Sequence, residues 1–167
     1  SRLQEEKIVA RISWSRLSEL SPGDAKREIW AVLRETGTRY AGKSMESCRK
    51  TKAILSNMEF LKKFPGGPKT FLRTAASFSD DYEKIRFVSQ LSYFKGKGAR
   101  DFLTSGFGVL RNSIAIDTRV KNALAHVGIF IPASALSSRR QYAEIEKALV
   151  DQICEPLEIS GAELDQL

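Results

Sequence analysis

The residues best able to do chemistry lie between Leu91 and Val120, in the run LSYFKGKGARDFLTSGFGVLRNSIAIDTRV. Gly96 and Gly98 bracket Lys97 there, Lys95 and Arg100 stand on either side, and Asp117 closes the short apolar run Ile114-Ala115-Ile116. A glycine turn lets backbone N–H groups come close to a ligand, and a helix starting just after it adds the positive end of its dipole. The group that suits such a turn is a nucleic-acid phosphate, which it holds without reading sequence. Ser138, Arg139 and Arg140 open a later helical pattern and form a second phosphate-compatible set, although helix capping explains the serine equally well. Metal chemistry is not expected, because His126 is the single histidine and Cys48 and Cys154 are too far apart for a zinc or iron–sulfur spacing.

The elements that must position these groups read as helices. Apolar residues recur on one helical face at Ile8 and Ile12, at Ile29 and Leu33, and at Met45, Cys48, Leu55 and Met58. Pro22-Gly23-Asp24 separates the first two helices, with Asp24 as the expected N-cap, and Phe64-Pro65-Gly66-Gly67-Pro68 is a firm break before a short helix from Thr70 to Ala75. Asp80 with Glu83 fits a capping box that opens a helix ending near Leu91. A turn holding Gly96 and Gly98 leads to a second helix around Ala99, Phe102 and Leu103, which is a helix-hairpin-helix outline. Further helices follow Asp117 and Ser138, and the strand-like Ile114 to Ile116 and Ile129 to Ile131 are too short to found a sheet. Trp14, Trp30 and Cys48 read as core residues, and His126 as a residue at a helix C-terminus. The expected fold is all-α, a compact multi-helix domain over residues 1–167 that contains the hairpin.

The words KGARDFL and IAIDTRV resemble the hairpin and aspartate segments of the helix-hairpin-helix DNA glycosylases, the superfamily of endonuclease III and 8-oxoguanine DNA glycosylase. With the C-terminal CEPLEISGAELDQL, the resemblance covers roughly the last two-fifths of the chain, and the first half matches only as a helical pattern. It implies a lysine that attacks the sugar and an aspartate downstream, here Lys97 and Asp117. The loop from Val109 to Ser113 makes their separation slightly longer than is common in the family. Two registers fit. The ungapped match through Gly108 selects Lys97 but sets Tyr93 and Lys95 where the family keeps glycines. Matching Gly96 and Gly98 to those glycines brings Arg100 to the lysine position and leaves no nucleophile.

Under that resemblance, cleavage of an N-glycosidic bond builds positive charge on the sugar, which the Asp117 carboxylate stabilises. An attacking amine must be neutral, a form that positive neighbours such as Lys95 and Arg100 favour. Thr38, Arg39 and Tyr40, in the interruption GTRYAGK, offer a hydroxyl, a guanidinium and a phenol for gripping an extruded base. The family's four-cysteine iron–sulfur loop is missing, and no cofactor is expected.

Composition agrees with a polyanionic partner. Lys and Arg total 27 against 20 Asp and Glu, a net charge of +7, while 42% hydrophobic and 28% charged residues are ordinary for a globular protein. No leader and no long apolar run stands out, so the expectation is an intracellular, soluble monomer acting on duplex DNA with a damaged base or abasic site, oxidised purines such as 8-oxoguanine favoured. A non-catalytic hairpin module that only contacts phosphates is the alternative. The Asp117 word favours the enzyme, because phosphate binding needs no downstream carboxylate.

Overall fold

The structure, a computed structural model, describes residues 6–8, 10–39 and 43–165, all of them in helices, turns or irregular segments with no strand among them. Within the span that reads as a single domain, the chain forms two compact units, Ser1–Thr74 and Ala75–Leu167, each with its own core.

In the first unit α1 (Trp14–Ser18) is capped by Ser13, and α2 (Pro22–Glu35) by Ser21, whose hydroxyl accepts the N–H of Asp24 at 3.2 Å. Asp24 is therefore not the cap that its position suggests. The fixed φ of Pro22 suits the first helical position, which places the cap at Ser21. Helix α3 (Arg49–Leu61) starts only after Cys48, so Met45 lies outside it, and the fully buried Cys48 acts as its N-cap through a sulfur contact with the Thr51 N–H. Leu17, Ile29, Leu33 and Met58 form the core, with Trp14 and Trp30 packed against it. Helix α4 (Pro68–Ser77) carries the chain into the second unit.

The second unit opens with α5 (Asp81–Val88), capped by Asp80 on the Tyr82 N–H at 2.9 Å and ending short of Leu91. Helix α6 (Gly96–Asp101) begins earlier than Ala99 and runs into a wider π turn at Phe102–Gly106. Then come α7 (Thr118–His126), α8 (Arg139–Leu149) with a second π turn at Val150–Cys154, and α9 (Gly161–Leu164).

Ser113 to Ile116 is buried yet belongs to no sheet, so its polar backbone must find other partners. Helix α8 supplies them. The Ile114 N–H donates to Glu146 Oε1 at 2.8 Å, the Ile116 N–H donates to Tyr142 Oη at 2.8 Å, and that hydroxyl donates to the Ile114 carbonyl at 2.9 Å. Tyr142 and Glu146 are four residues apart, one above the other on the same helical face, which is the spacing needed to serve successive residues of an extended chain. The same carboxylate binds Arg100 through Nε at 2.8 Å and NH2 at 2.7 Å, and the guanidinium stacks on the Tyr142 ring 4.1 Å from its centroid. Gly161 completes the support. A Cβ there would lie 3.0 Å from Ile114 and 3.1 Å from the backbone of Asn112 and Ser113, and next to it the Ala162 N–H donates to the Arg111 carbonyl at 3.0 Å.

Arg100→Met leaves the largely buried Glu146 carboxylate with only the Ser113 hydroxyl and the Ile114 N–H as donors, so we expect a loss of about 3 kcal/mol, read from the urea midpoint. Combining it with Glu146→Leu is expected to recover part of that loss, and strict additivity of the two changes would contradict the coupling.

Burial, reinforced by the negative charges of Glu146 and Asp165, pushes the Tyr142 phenol up to about 12 from an ordinary value of 10.0, against the opposing pull of Arg100 and the Ile116 N–H. Folding therefore favours the protonated phenol. Its contribution is complete below pH 10 and is lost as pH rises through about 12. A spectrophotometric titration is expected to show one tyrosine ionising together with unfolding, and its ionisation with the exposed tyrosines would contradict the clamp on Ile114 and Ile116.

Candidate nucleic-acid interface and active site

The second unit contains a cleft of about 730 Å³. Lys95, Gly96 and Lys97 from the start of α6 line it, with Arg100 behind them, Ser137 and Arg139 at the start of α8, and Arg86 from α5. Residues whose types suit phosphate contact thus share one concavity. Ile116 forms part of its wall, next in the chain to Asp117.

The hairpin positions have distinct surroundings. Lys95 and Lys97 are exposed, and Lys95 is the N-cap of α6 without a side-chain capping bond. Tyr93 takes a left-handed φ of 71°, and a Cβ on Gly98 would stand 3.1 Å from the Tyr93 carbonyl. A side chain on Gly98 would crowd that carbonyl, which gives the glycine a packing role in fitting the second helix against the turn. Arg100 departs from the expectation of a phosphate-facing cation. It is 3% exposed, and Glu146 neutralises it, so it supplies neither a surface contact nor a free positive neighbour for Lys97.

Asp117 is the N-cap of α7. Its Oδ1 accepts the N–H groups of Arg119 at 2.7 Å and Val120 at 3.0 Å, and its Oδ2 faces Arg119 Nε at 3.2 Å. Partial burial pushes this carboxyl up, but the Val120 N–H and the side chain and N–H of Arg119 outweigh it, so its pKa lies below the ordinary carboxylate value. The cap thus keeps Asp117 ionised while its second oxygen meets a surface arginine that is 73% exposed.

One residue carries no mark in the sequence. Asp165, just past α9, is 7% exposed, and burial, then the negative charges of Asp117 and Asp101, raise its pKa, while Lys97 and Arg119 lower it. Lys97 and Asp117, 20 positions apart in the chain, are therefore close enough to the same buried carboxyl for both to act on it. An aspartate after a short capped helix is ordinary, which is why sequence reasoning passes over Asp165.

Other expected residues lie elsewhere. Ser138 caps α8 by accepting the Gln141 N–H, and Arg140 is exposed and pairs with Glu144 at 2.8 Å. His126 ends α7 with Nδ1 2.6 Å from the Asn122 carbonyl. Thr38 and Arg39 belong to the first unit, where the Thr38 hydroxyl is 2.9 Å from that of Thr36, and Tyr40 lies outside the described residues. Among the described residues no cluster of His, Cys, Asp or Glu could hold a metal ion, and no helix is long and apolar enough to cross a membrane. No known protein family, curated protein or solved structure compared with this chain matches it.

The two carboxyls have opposite pH signatures. Asp117, with its lowered pKa, stabilises above the unfolded carboxylate value, and that contribution is lost as pH falls through its folded value. Asp165 is raised, so its contribution is complete below the unfolded value and lost as pH rises through the folded one. Asp117→Ala should cost about 1 kcal/mol at pH 7 through the lost cap. Asp165→Asn is expected to raise the urea midpoint at pH 7 and leave it nearly unchanged at pH 3, and a lowered midpoint at pH 7 would contradict the unfavourable burial.

Proposed function

We propose that this chain is a helix-hairpin-helix DNA glycosylase with AP lyase activity, removing a damaged or mismatched base in base excision repair. Oxidised purines such as 8-oxoguanine are the favoured substrates. The observation that carries the reading is that Lys95, Lys97 and Arg139 line one cleft whose wall includes Ile116, the residue before Asp117. The helix pair α5 and α6, joined by the turn with Tyr93, supports a hairpin docked on phosphate, and the surface Lys95 and Lys97 supply counter-charge.

In this reading neutral Lys97 Nζ attacks C1′ of the extruded nucleotide, the C1′–N bond breaks, and its electron pair leaves with the base. Asp117 stabilises the positive charge that develops on the sugar. The amine loses a proton, the sugar ring opens to a Schiff base, and β-elimination cuts the strand on its 3′ side. A cap that holds Asp117 ionised suits that role, since a protonated carboxyl offers no stabilising charge.

A second reading draws on the fit of Gly98 against the Tyr93 carbonyl, which favours taking Gly96 and Gly98 as the hairpin glycines. Arg100 then stands at the lysine position, and a buried, ion-paired guanidinium is no nucleophile. That register gives a monofunctional glycosylase, in which water attacks, or a non-catalytic DNA-binding module.

Lys97→Gln is expected to abolish borohydride trapping on an abasic duplex and strand nicking, with only a slight loss of duplex binding. Asp117→Asn keeps much of the cap and removes the charge, so base release should fall by orders of magnitude with the fold retained. Duplex binding should weaken steeply with salt. Base release without trapping in the wild type selects the monofunctional register. Binding without release from a panel of uracil, 8-oxoguanine, thymine glycol and alkylated-base duplexes selects the module.

A further inference from the structure

A second concavity of the same unit has the opposite character to the basic cleft. It is an apolar groove of about 320 Å³, with Ile129, Phe130 and Pro132 from the loop after α7 on one side and Ile145, Leu149 and Ile153 from α8 and its π turn on the other. Gln152 is its one polar side chain among the described residues, too little to orient a small polar ligand. The loop is fixed at both ends of its apolar run. Gly128, with a φ of 86°, closes α7 by donating its N–H to the Ala125 carbonyl at 3.1 Å, and the Ile129 N–H donates to the Leu124 carbonyl at 2.9 Å, the paired bonds of a Schellman motif. Ile131 packs on the core. Phe130, between these two anchored isoleucines, is left 80% exposed, and Val127 is exposed as well. A large apolar side chain kept in water by fixed neighbours beside an apolar groove marks a face for a partner.

Charge selects the partner. Residues 141–167 hold seven Asp and Glu against one basic residue, Lys147, in a chain whose totals are 20 and 27. Glu144 stands one turn before Ala148 of the groove, Asp151 one turn after it, and Glu155 one turn after Gln152, so carboxylates run along one edge. Glu144 and Asp151 pair with Arg140 and Lys147, but those cations are themselves at the surface, and exposed pairs of this kind are weak enough to exchange. Such an edge repels DNA and an anionic membrane. A second copy of the chain placed face to face would oppose it with the same carboxylates.

We infer that this groove docks a basic amphipathic helix of another protein. Its apolar side chains fill the groove and cover Phe130, and its lysines or arginines lie along Glu144, Asp151 and Glu155. An extended strand would have nothing to join, because the described residues contain no sheet edge, so the contacts are those of a helix laid in a groove. None of these residues lines the basic cleft. The docking face therefore does not depend on what the cleft binds.

The test uses the full chain and three fluorescein-labelled helical peptides of one length, read by fluorescence anisotropy. The first has leucines and a phenylalanine along one face and lysines and arginines elsewhere, the second keeps the apolar face but has glutamates for the basic residues, and the third keeps the basic residues but has serines for the apolar ones. We expect the first to bind at least tenfold more tightly than either of the others. Phe130→Ser and Ala148→Arg should each weaken it at least tenfold. The triple change Glu144→Gln, Asp151→Asn and Glu155→Gln should weaken it several-fold and flatten its salt dependence. All five positions are exposed, and a circular dichroism spectrum like that of the wild type confirms the fold. Equal binding of the three peptides, or binding of the first that survives both Phe130→Ser and Ala148→Arg, would overturn the proposal. A wild-type dimer in sedimentation that Phe130→Ser abolishes would overturn it in favour of a second copy, and attachment to phosphatidylglycerol vesicles lost in the same variant would do so in favour of a lipid surface. Duplex DNA binding should be unchanged by Phe130→Ser, and a loss matching that of the peptide would assign the face to DNA instead.

Discussion

The second unit is organised around one carboxylate that is largely withdrawn from water, with 12% of its side chain exposed. Glu146 accepts four hydrogen bonds, from Nε and NH2 of Arg100, from Ser113 Oγ at 2.6 Å and from the Ile114 N–H. A buried charge without such partners costs several kcal/mol, so the two segments that supply them are fixed relative to α8. Those segments are α6, which contains Lys97, and the run that leads from Ser113 through Ile114 to Asp117. Tyr142 repeats the arrangement one turn away with a neutral group, and the Arg100 guanidinium lies over its ring, so the two anchors also hold each other. The candidate lysine and aspartate thus owe their positions to a residue distant from both in sequence.

That dependence explains what was legible in the sequence. Helices with a strong cap and a clear apolar period were readable: Asp117 does open a helix with Val120 and Leu124 inward, and Ser138 does open one with Tyr142 and Leu149 inward. Boundaries set by competition between neighbouring caps were less so. Ser21 and Asp24 both have capping side chains, and only the fixed φ of Pro22 decides between them. The fate of Arg100 was not readable at all. Lys95, Lys97 and Arg100 look alike as a basic cluster, and only the arrival of Glu146, 46 residues later, turns one of the three inward. Asp165 was hidden for the same reason, since its burial depends on α9 being seated by Gly161 against Asn112 and Ser113.

Two π turns lie among the described residues of this unit. The π turn at Phe102–Gly106 follows directly on α6, and Thr104 there donates its hydroxyl to the Arg100 carbonyl at 2.8 Å, taking up an acceptor left by the widened ladder. The second π turn, Val150–Cys154, follows directly on α8 and keeps Val150 and Cys154 in the core shared with Ile114 and Ile116. Both widened turns therefore border the elements tied by Glu146.

Asp165 runs against this pattern of satisfied charge. Its carboxyl is buried, feels two other carboxylates, and has only the cations Lys97 and Arg119 in its favour. Arg100 and Glu146 show that this unit can pair a buried charge completely, and no equivalent donor set among the described residues surrounds the Asp165 side chain. A group held at a cost to the fold is characteristic of sites where a charge is needed during a reaction rather than in the resting protein. Burial and the charges of Asp117 and Asp101 favour the neutral form of the Asp165 carboxyl, while Lys97 and Arg119 favour its ionised form, so the balance at this one group depends on cations that belong to other elements of the unit.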